Sequence, residues 1–326
     1  MQVHTRVTYS TNMTRRDILI ASGAAVTAAA QPAPTWKPAR VNKCVELLEM
    51  QQPVYYGQAY GGYAEGKKSA KTWADYLMYD MESNPLDFRQ LRDFMQGLAD
   101  GGPTPSGHRT PAVIVVLPIF GIAAASVDSN AWMVQQALAQ GVHGIILPRA
   151  RDPEAVKRFV RAVRYPIGKQ AQDVLGVGTR GWGSQNYAAG IWGVDSTKYL
   201  QIADVLPLNP QGEIMLGLRI EDWQALERAE ETLAVPGIAF AEHGPRDMGL
   251  SYGHLEGRAD PPVPKEVDEA GRKVLGLCRK YHLAFLDNVL PDNVEQRIDG
   301  GVMIGAGRRQ DSAEKGRRYT RRKMPW

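Results

Sequence analysis

EIMLGLRIEDWQALERAEETLAVPGIAFAEHGPRD, residues 213–247, carries two apolar runs separated by one helical stripe. Glu213–Ile220 is a short, nearly continuous apolar run, the pattern of a strand buried on both faces. Residues 222–234 then place Trp223, Leu226, Ala229 and Leu233 at helical spacing and stop before Pro236-Gly237. A second apolar run, Gly237–Ala241, follows at once. Strand, short helix and strand at this length lay two parallel strands side by side.

The same rhythm extends in both directions. Strand-like runs occur at Pro53–Tyr60, Trp73–Tyr79, Ala112–Pro118, Gly144–Pro148, Leu283–Leu286 and Val302–Ile304. Helical stripes lie between them. Residues 87–99 carry Phe88, Leu91, Met95 and Leu98, residues 153–164 carry Val156, Phe159, Val160 and Val163, and residues 266–281 carry Val267, Ala270, Val274, Leu277 and Tyr281. Asp152 followed by Pro153 is a helix start, an N-cap oxygen ahead of a residue with no N–H to satisfy. Eight strands alternating with helices predict an α/β fold, a closed (β/α)₈ TIM barrel, rather than an open sheet. Residues 165–212, rich in Gly, Trp and Tyr, break the rhythm and are expected as an extended loop over the barrel mouth.

Length and composition agree with one such domain. The chain has 326 residues, 44% apolar and 23% charged, and a single barrel takes about 250. A net charge of +4 gives no argument for nucleic acid. Cys44 and Cys278 lack metal-ligand spacing; they read as two independent buried thiols, or as a disulfide if the protein is exported.

Residues 1–30 read as a signal peptide. Arg15-Arg16 precedes the apolar run Ile18–Ala30, which ends in Ala28-Ala29-Ala30 and is too short for a stable membrane span. The arginine pair resembles a twin-arginine signal, so the expected location is periplasmic or secreted, with a cytoplasmic protein carrying a disordered leader as the alternative. Met13 is a second candidate start. Residues 31–41, with Pro32, Pro34 and Pro38, read as a linker, 42–307 as the barrel and 308–326 as a basic C-terminal tail. Such a tail is expected as a solvated end, or less simply as a binder of phosphates or anionic lipid.

Two acidic residues sit where barrel chemistry is done. Glu221 ends its strand run and Asp247 follows the next one, in His243-Gly244-Pro245-Arg246-Asp247. Adjacent parallel strands lie about 4.8 Å apart, so both carboxylates fall on the C-terminal rim. Neighbouring carboxylates ionise together comfortably when a cation lies between them, and oxygen ligands favour Mg²⁺ or Mn²⁺. The spacing equally allows Glu221 to cap the next helix and Asp247 to pair with Arg246. Gly244-Pro245-Arg246 could also present N–H groups to an anion.

Several stretches together resemble the HpcH/HpaI aldolase/citrate lyase family, from about Asn42 to about Gly307. They are Tyr79-Asp80-Met81-Glu82-Ser83-Asn84-Pro85, Gln136 through Pro148 and on to Tyr165-Pro166, Ile220-Glu221, and Gly244-Pro245-Arg246-Asp247-Met248. The resemblance implies a (β/α)₈ barrel with a divalent metal on Glu221 and Asp247. That metal would hold pyruvate or a related 2-oxo acid and stabilise the enolate formed as a carbon–carbon bond breaks or forms. Gly244, Pro245 and Arg246 would receive the substrate carboxylate. The resemblance also implies a homo-oligomer, commonly a hexamer with the last helix exchanged between partners. Two departures stand out. Ser83 occupies the place of the family's proton-transferring His beside Glu82, and Val116-Leu117 has no Arg where the family carries one to polarise the carbonyl. Arg149, just after the fourth strand, is a candidate replacement.

The sequence therefore predicts a metal-dependent lyase acting on a 4-hydroxy-2-oxo acid or a relative. Glu82, Ser83 and Arg149 are its catalytic candidates. The alternatives are a family member that binds a metal-chelated oxo acid without turnover, and an anion-binding protein led by its basic tail.

Overall fold

The computed structural model describes residues 36–306 and 309–326. The expected signal segment and the first half of the expected linker lie outside the described residues. From Trp36 onward the chain is pinned to the barrel rather than free. Trp36 Nε1 donates to Glu46 Oε1 at 2.8 Å, and the Ala39 and Arg40 N–H groups donate to Glu46 Oε2 at 3.0 and 3.1 Å.

The strands are β1 (Val54–Ala59), β2 (Tyr76–Asp80), β3 (Ala112–Val116), β4 (Gly144–Leu147), β5 (Val205–Leu206), β6 (Ile214–Ile220), β7 (Phe240–His243), β8 (Ala284–Asn288) and β9 (Val302–Ala306). All pairings are parallel. β1 meets β9 at Val54↔Ile304 and β4 meets β6 at Gly144↔Met215, so eight strands close into a barrel. The remaining strand, β5, pairs only with the start of β6.

Period-two alternation divides the apolar residues between two cores. Val54, Tyr56, Tyr76, Met78, Ile114, Val116, Ile146, Met215, Phe240, Leu286 and Ile304 fill the barrel interior. Leu77, Tyr79, Val113, Val115, Ile145, Leu216, Leu218, Ala241 and Phe285 pack outward under the helices. Gly217 is part of this packing: a Cβ there would stand 2.3 Å from the Phe240 ring, which crosses the interior.

The expected helices form with small shifts, as Phe88–Gly101, Pro153–Val163 and Lys265–Tyr281. Asp87 and Asp152 cap the first two through Gln90 N (2.8 Å) and Glu154 N (3.0 Å). The 222–234 stripe divides at Arg228 into two short helices.

Two expectations are corrected. Residues 165–212 do not cover the mouth. They follow helix Pro153–Val163 and hold three short helices packed at the opposite pole, where Trp192 Nε1 donates to Gly141 O at 2.8 Å ahead of β4. The buried side chains of Ile191, Trp192, Tyr199 and Ile202 drive this packing. The basic tail is not a solvated end either. Helix Gln310–Tyr319 lies on the barrel, and the chain then passes beneath it to bury Met324. Arg317 and Arg322 reach Asp75 at 3.1 and 2.8 Å, with Lys43 on the same carboxylate at 3.0 Å. Burial alone would push the Asp75 carboxyl up, but Arg322, Lys43 and Arg317 hold it far below the ordinary carboxylate range. These cations serve the fold, while Arg309, Arg318, Arg321 and Lys323 stay exposed. Cys44 and Cys278 are buried free thiols, as expected.

Among the described residues no helix is long and apolar enough to cross a membrane.

Candidate active site

The inward-facing positions turn polar at the C-terminal ends of the strands. Tyr56 is followed by Gln58 on β1, Met78 by Asp80 on β2, Phe240 by Glu242 on β7 and Leu286 by Asn288 on β8. On β6 the inward series Met215, Gly217 and Arg219 continues to Glu221. These polar ends enclose a cavity of about 380 Å³ with Gly244, Pro245, Arg246, Asp247, Asp260 and Arg309. It lies where barrels carry their chemistry.

Arg219 ties the cavity wall together. Its Nε donates to Glu242 Oε2 at 2.9 Å and lies 3.5 Å from Glu221 Oε2. Its Nη1 donates to Glu82 Oε2 at 2.9 Å, reaching across from β6 to the loop after β2. Burial would lower the Arg219 pKa, but Glu242, Glu221 and Glu82 raise it, so it stays a cation. Glu221 is the most deeply set carboxylate of the group, 2% exposed, and its Oε1 accepts the Arg149 N–H at 3.1 Å. Burial is the main force raising its pKa to about 8; Arg219 opposes the rise, and Glu82, Asp247 and Glu242 add to it. Glu82 is raised too, chiefly by burial, against the pull of Arg219.

The structure brings most of the predicted residues together. Glu221, Gly244, Pro245, Arg246 and Asp247 line one cavity, with Glu82 hydrogen-bonded to its Arg219 wall. Asp222, not Glu221, caps the following helix through Ala225 N at 2.8 Å, which frees Glu221 from the capping role. Gly244 is required by close approach, because a Cβ there would stand 2.6 Å from Glu221 Cβ. Ser83 does not join the cavity lining: it is exposed in a turn, its N–H donating to Asp80 Oδ1 at 3.1 Å. The Arg149 guanidinium is turned onto the Phe120 ring, 4.5 Å from its centroid, so this residue meets Glu221 through its backbone. Sequence reasoning missed Arg219, Glu242, Asp80, Gln58 and Asn288. Strand parity was the available signal, since each is the polar end of an inward-facing series.

The candidate cation ligands are Glu221 and Asp247, all-oxygen donors suited to a hard cation. Among the described residues no group of three or more His, Cys, Asp and Glu side chains is arranged to hold a metal. A cation here would complete its shell with water or substrate oxygens, as Mg²⁺ commonly does.

The family profile described as HpcH/HpaI aldolase/citrate lyase matches residues 121–305, more than half of the chain. The chain belongs to the HpcH/HpaI aldolase/citrate lyase family. Its relatives include a hydroxypyruvate/pyruvate aldolase of Deinococcus radiodurans, 29% identical over 216 residues that cover 66% of each chain. A 2-keto-3-deoxy-L-rhamnonate aldolase of Escherichia coli is 25% identical over 234 residues, 72% of this chain and 74% of that one. The chain spans about two thirds of the length of the first of these relatives. In the fold, an HpcH/HpaI aldolase/citrate lyase family protein of Burkholderia cenocepacia superposes with a TM-score of 0.62 at 21% identity, over 86% of this chain and 98% of that one. In this chain Glu221 and Asp247 stand at the barrel mouth, in a lining shared with Asp80, Arg219, Glu242 and Asn288.

Proposed function

We propose that the protein is a divalent-metal-dependent carbon–carbon lyase that cleaves 4-hydroxy-2-oxo acids to pyruvate or a close analogue and an aldehyde. The observation that carries this reading is the state of Glu221. A carboxylate 2% exposed that shares one cavity lining with Glu242 and Asp247, with Glu82 on the same Arg219, is a site short of positive charge, and its burial among these groups raises its pKa. Mg²⁺ or Mn²⁺ held by Glu221 and Asp247 would supply that charge. When bound, the cation contributes Lewis-acid stabilisation of the negative charge that builds on the 2-oxo acid. The protein's own residues do the rest. Gly244 and Pro245 bring the chain close against Glu221, and Arg246 on the rim meets the substrate carboxylate. Glu82, held at the mouth by Arg219, is placed to take a proton. The relatives named as aldolases support the same reaction class, and we propose an oligomeric assembly on the same footing. Calorimetric titration with Mn²⁺ tests the ligand set. Wild type should bind, and Glu221→Ala and Asp247→Ala should not, with all three folded by circular dichroism. Equal binding by the three proteins would overturn the assignment.

A further inference from the structure

Val116 and Leu117 leave the third strand without a charge at the mouth, and the Arg149 guanidinium lies over Phe120, where its charge still acts on Glu82. Arg219, from β6, is the guanidinium that touches Glu242 and Glu221, while Arg246 and Arg309 lie elsewhere on the lining. Arg219 is held in one orientation by Glu242 on Nε and Glu82 on Nη1, both at 2.9 Å. Its Nη2 has no hydrogen-bond partner among the described residues, although the side chain borders the cavity and is 15% exposed. A planar, permanently charged fork fixed at two of its nitrogens leaves the third aimed and preorganised, at no cost in side-chain entropy when a ligand arrives.

Resting on the aldolase reading above, we propose that Arg219 is a catalytic residue whose Nη2 hydrogen-bonds the oxygen on C4 of the substrate. In cleavage the C4 hydroxyl proton passes to the Glu82 carboxylate, beside the same guanidinium. The C3–C4 bond breaks, its electron pair staying on the pyruvate half, and the C4 oxygen becomes the aldehyde carbonyl. The proton held by Glu82 then returns to C3, so no other reactant is needed. Arg219 stabilises the negative charge on the C4 oxygen while that proton is away. The pair Arg219–Glu82 thus does from β6 and the β2 loop what a charged group on β3 and a histidine in place of Ser83 would do. Arg219 also sits two residues from Glu221, so one strand end presents both halves of the site, the pyruvate side and the aldehyde side.

The two halves can be measured apart. Deuterium exchange into the methyl group of pyruvate, followed by NMR in Mn²⁺- or Mg²⁺-loaded enzyme, reports enolisation, which has no C4 oxygen. Release of pyruvate from 4-hydroxy-2-oxo acids reports cleavage, which has one. Arg219→Lys keeps a cation between Glu82 and Glu242 but loses the fixed third donor. It should lower cleavage by about 10²–10³-fold, with a much smaller fall in exchange and with Mn²⁺ affinity by calorimetry kept. Loss of cleavage and exchange by the same factor would overturn the proposal and leave Arg219 a clamp for the carboxylates. Wild-type enzyme without either activity would overturn the aldolase reading and this inference with it. If Arg219→Lys does not fold, the double variant Arg219→Gln with Glu242→Gln, which removes one charge of each sign, carries the same comparison with the same two outcomes.

Discussion

In chelator the protein should lose thermal stability as pH rises, and Glu221 should be the main cause. Its carboxyl moves from an ordinary 4.5 to about 8 on folding, first through burial and then through Glu82, Asp247 and Glu242. For an acid whose folded pKa lies above the unfolded one, the proton binds the folded state more tightly. The associated stability is therefore complete below pH 4.5 and is lost as pH rises through about 8. The displacement corresponds to about 3–5 kcal/mol. At about 2 °C per kcal/mol for a chain of this size, the melting temperature should fall by roughly 6–10 °C across that window. Glu213 and Asp287, raised by burial to about 7 and about 6, contribute to the same slope. The decisive comparison is with Glu221→Gln, a neutral isostere that removes only this contribution. Differential scanning calorimetry across the window should show a steeper fall in wild type than in the variant. Millimolar Mn²⁺ should abolish the difference by holding Glu221 ionised. Parallel curves for the two proteins would refute the reasoning.

Asp75→Asn should cost about 3–5 kcal/mol in urea unfolding, since it leaves Lys43, Arg317 and Arg322 buried with no counter-charge; an unchanged midpoint would show that the cluster is not paired as described. Gly244→Ala should weaken Mn²⁺ binding about tenfold or more, because its Cβ displaces Glu221; wild-type affinity by calorimetry would contradict the close approach. We also propose export through Arg15-Arg16: Arg15→Lys with Arg16→Lys should hold the uncleaved chain in the cytoplasm on fractionation, and an unaltered distribution would refute it.

The barrel was legible because parallel strands buried on both faces have no way to hide: each of the eight runs is apolar over most of its length. Glu221 and Asp247 were legible because they follow consecutive strands, one directly after β6 and the other in the helix start just after β7, and strand ends converge on one rim. Arg219 was not, because a charge two residues inside an apolar run reads as an interruption until parity puts it on the same inward face as Glu221. Arg149 was legible in place but not in direction. Its position in sequence was right, but a side-chain direction set by Phe120 cannot be seen in spacing. The tail failed as a composition argument: Arg317 and Arg322 look solvated until the distant Asp75, ahead of β2, is brought beneath them. The segment 165–212 failed because its short helices carry their apolar residues in scattered pairs, Ile191 with Trp192 and Tyr199 with Ile202, too few per turn for a clear stripe.

The proposed lyase activity depends on a cation held by Glu221 and Asp247. Its most direct measurement is pyruvate release from a panel of 4-hydroxy-2-oxo acids, assayed with Mg²⁺ or Mn²⁺ and again in excess chelator, for wild type and Glu221→Ala side by side. Metal-loaded wild type should turn over at least one member, with no turnover in chelator and none by the variant. Turnover that persists in chelator, or that survives in Glu221→Ala, would contradict it.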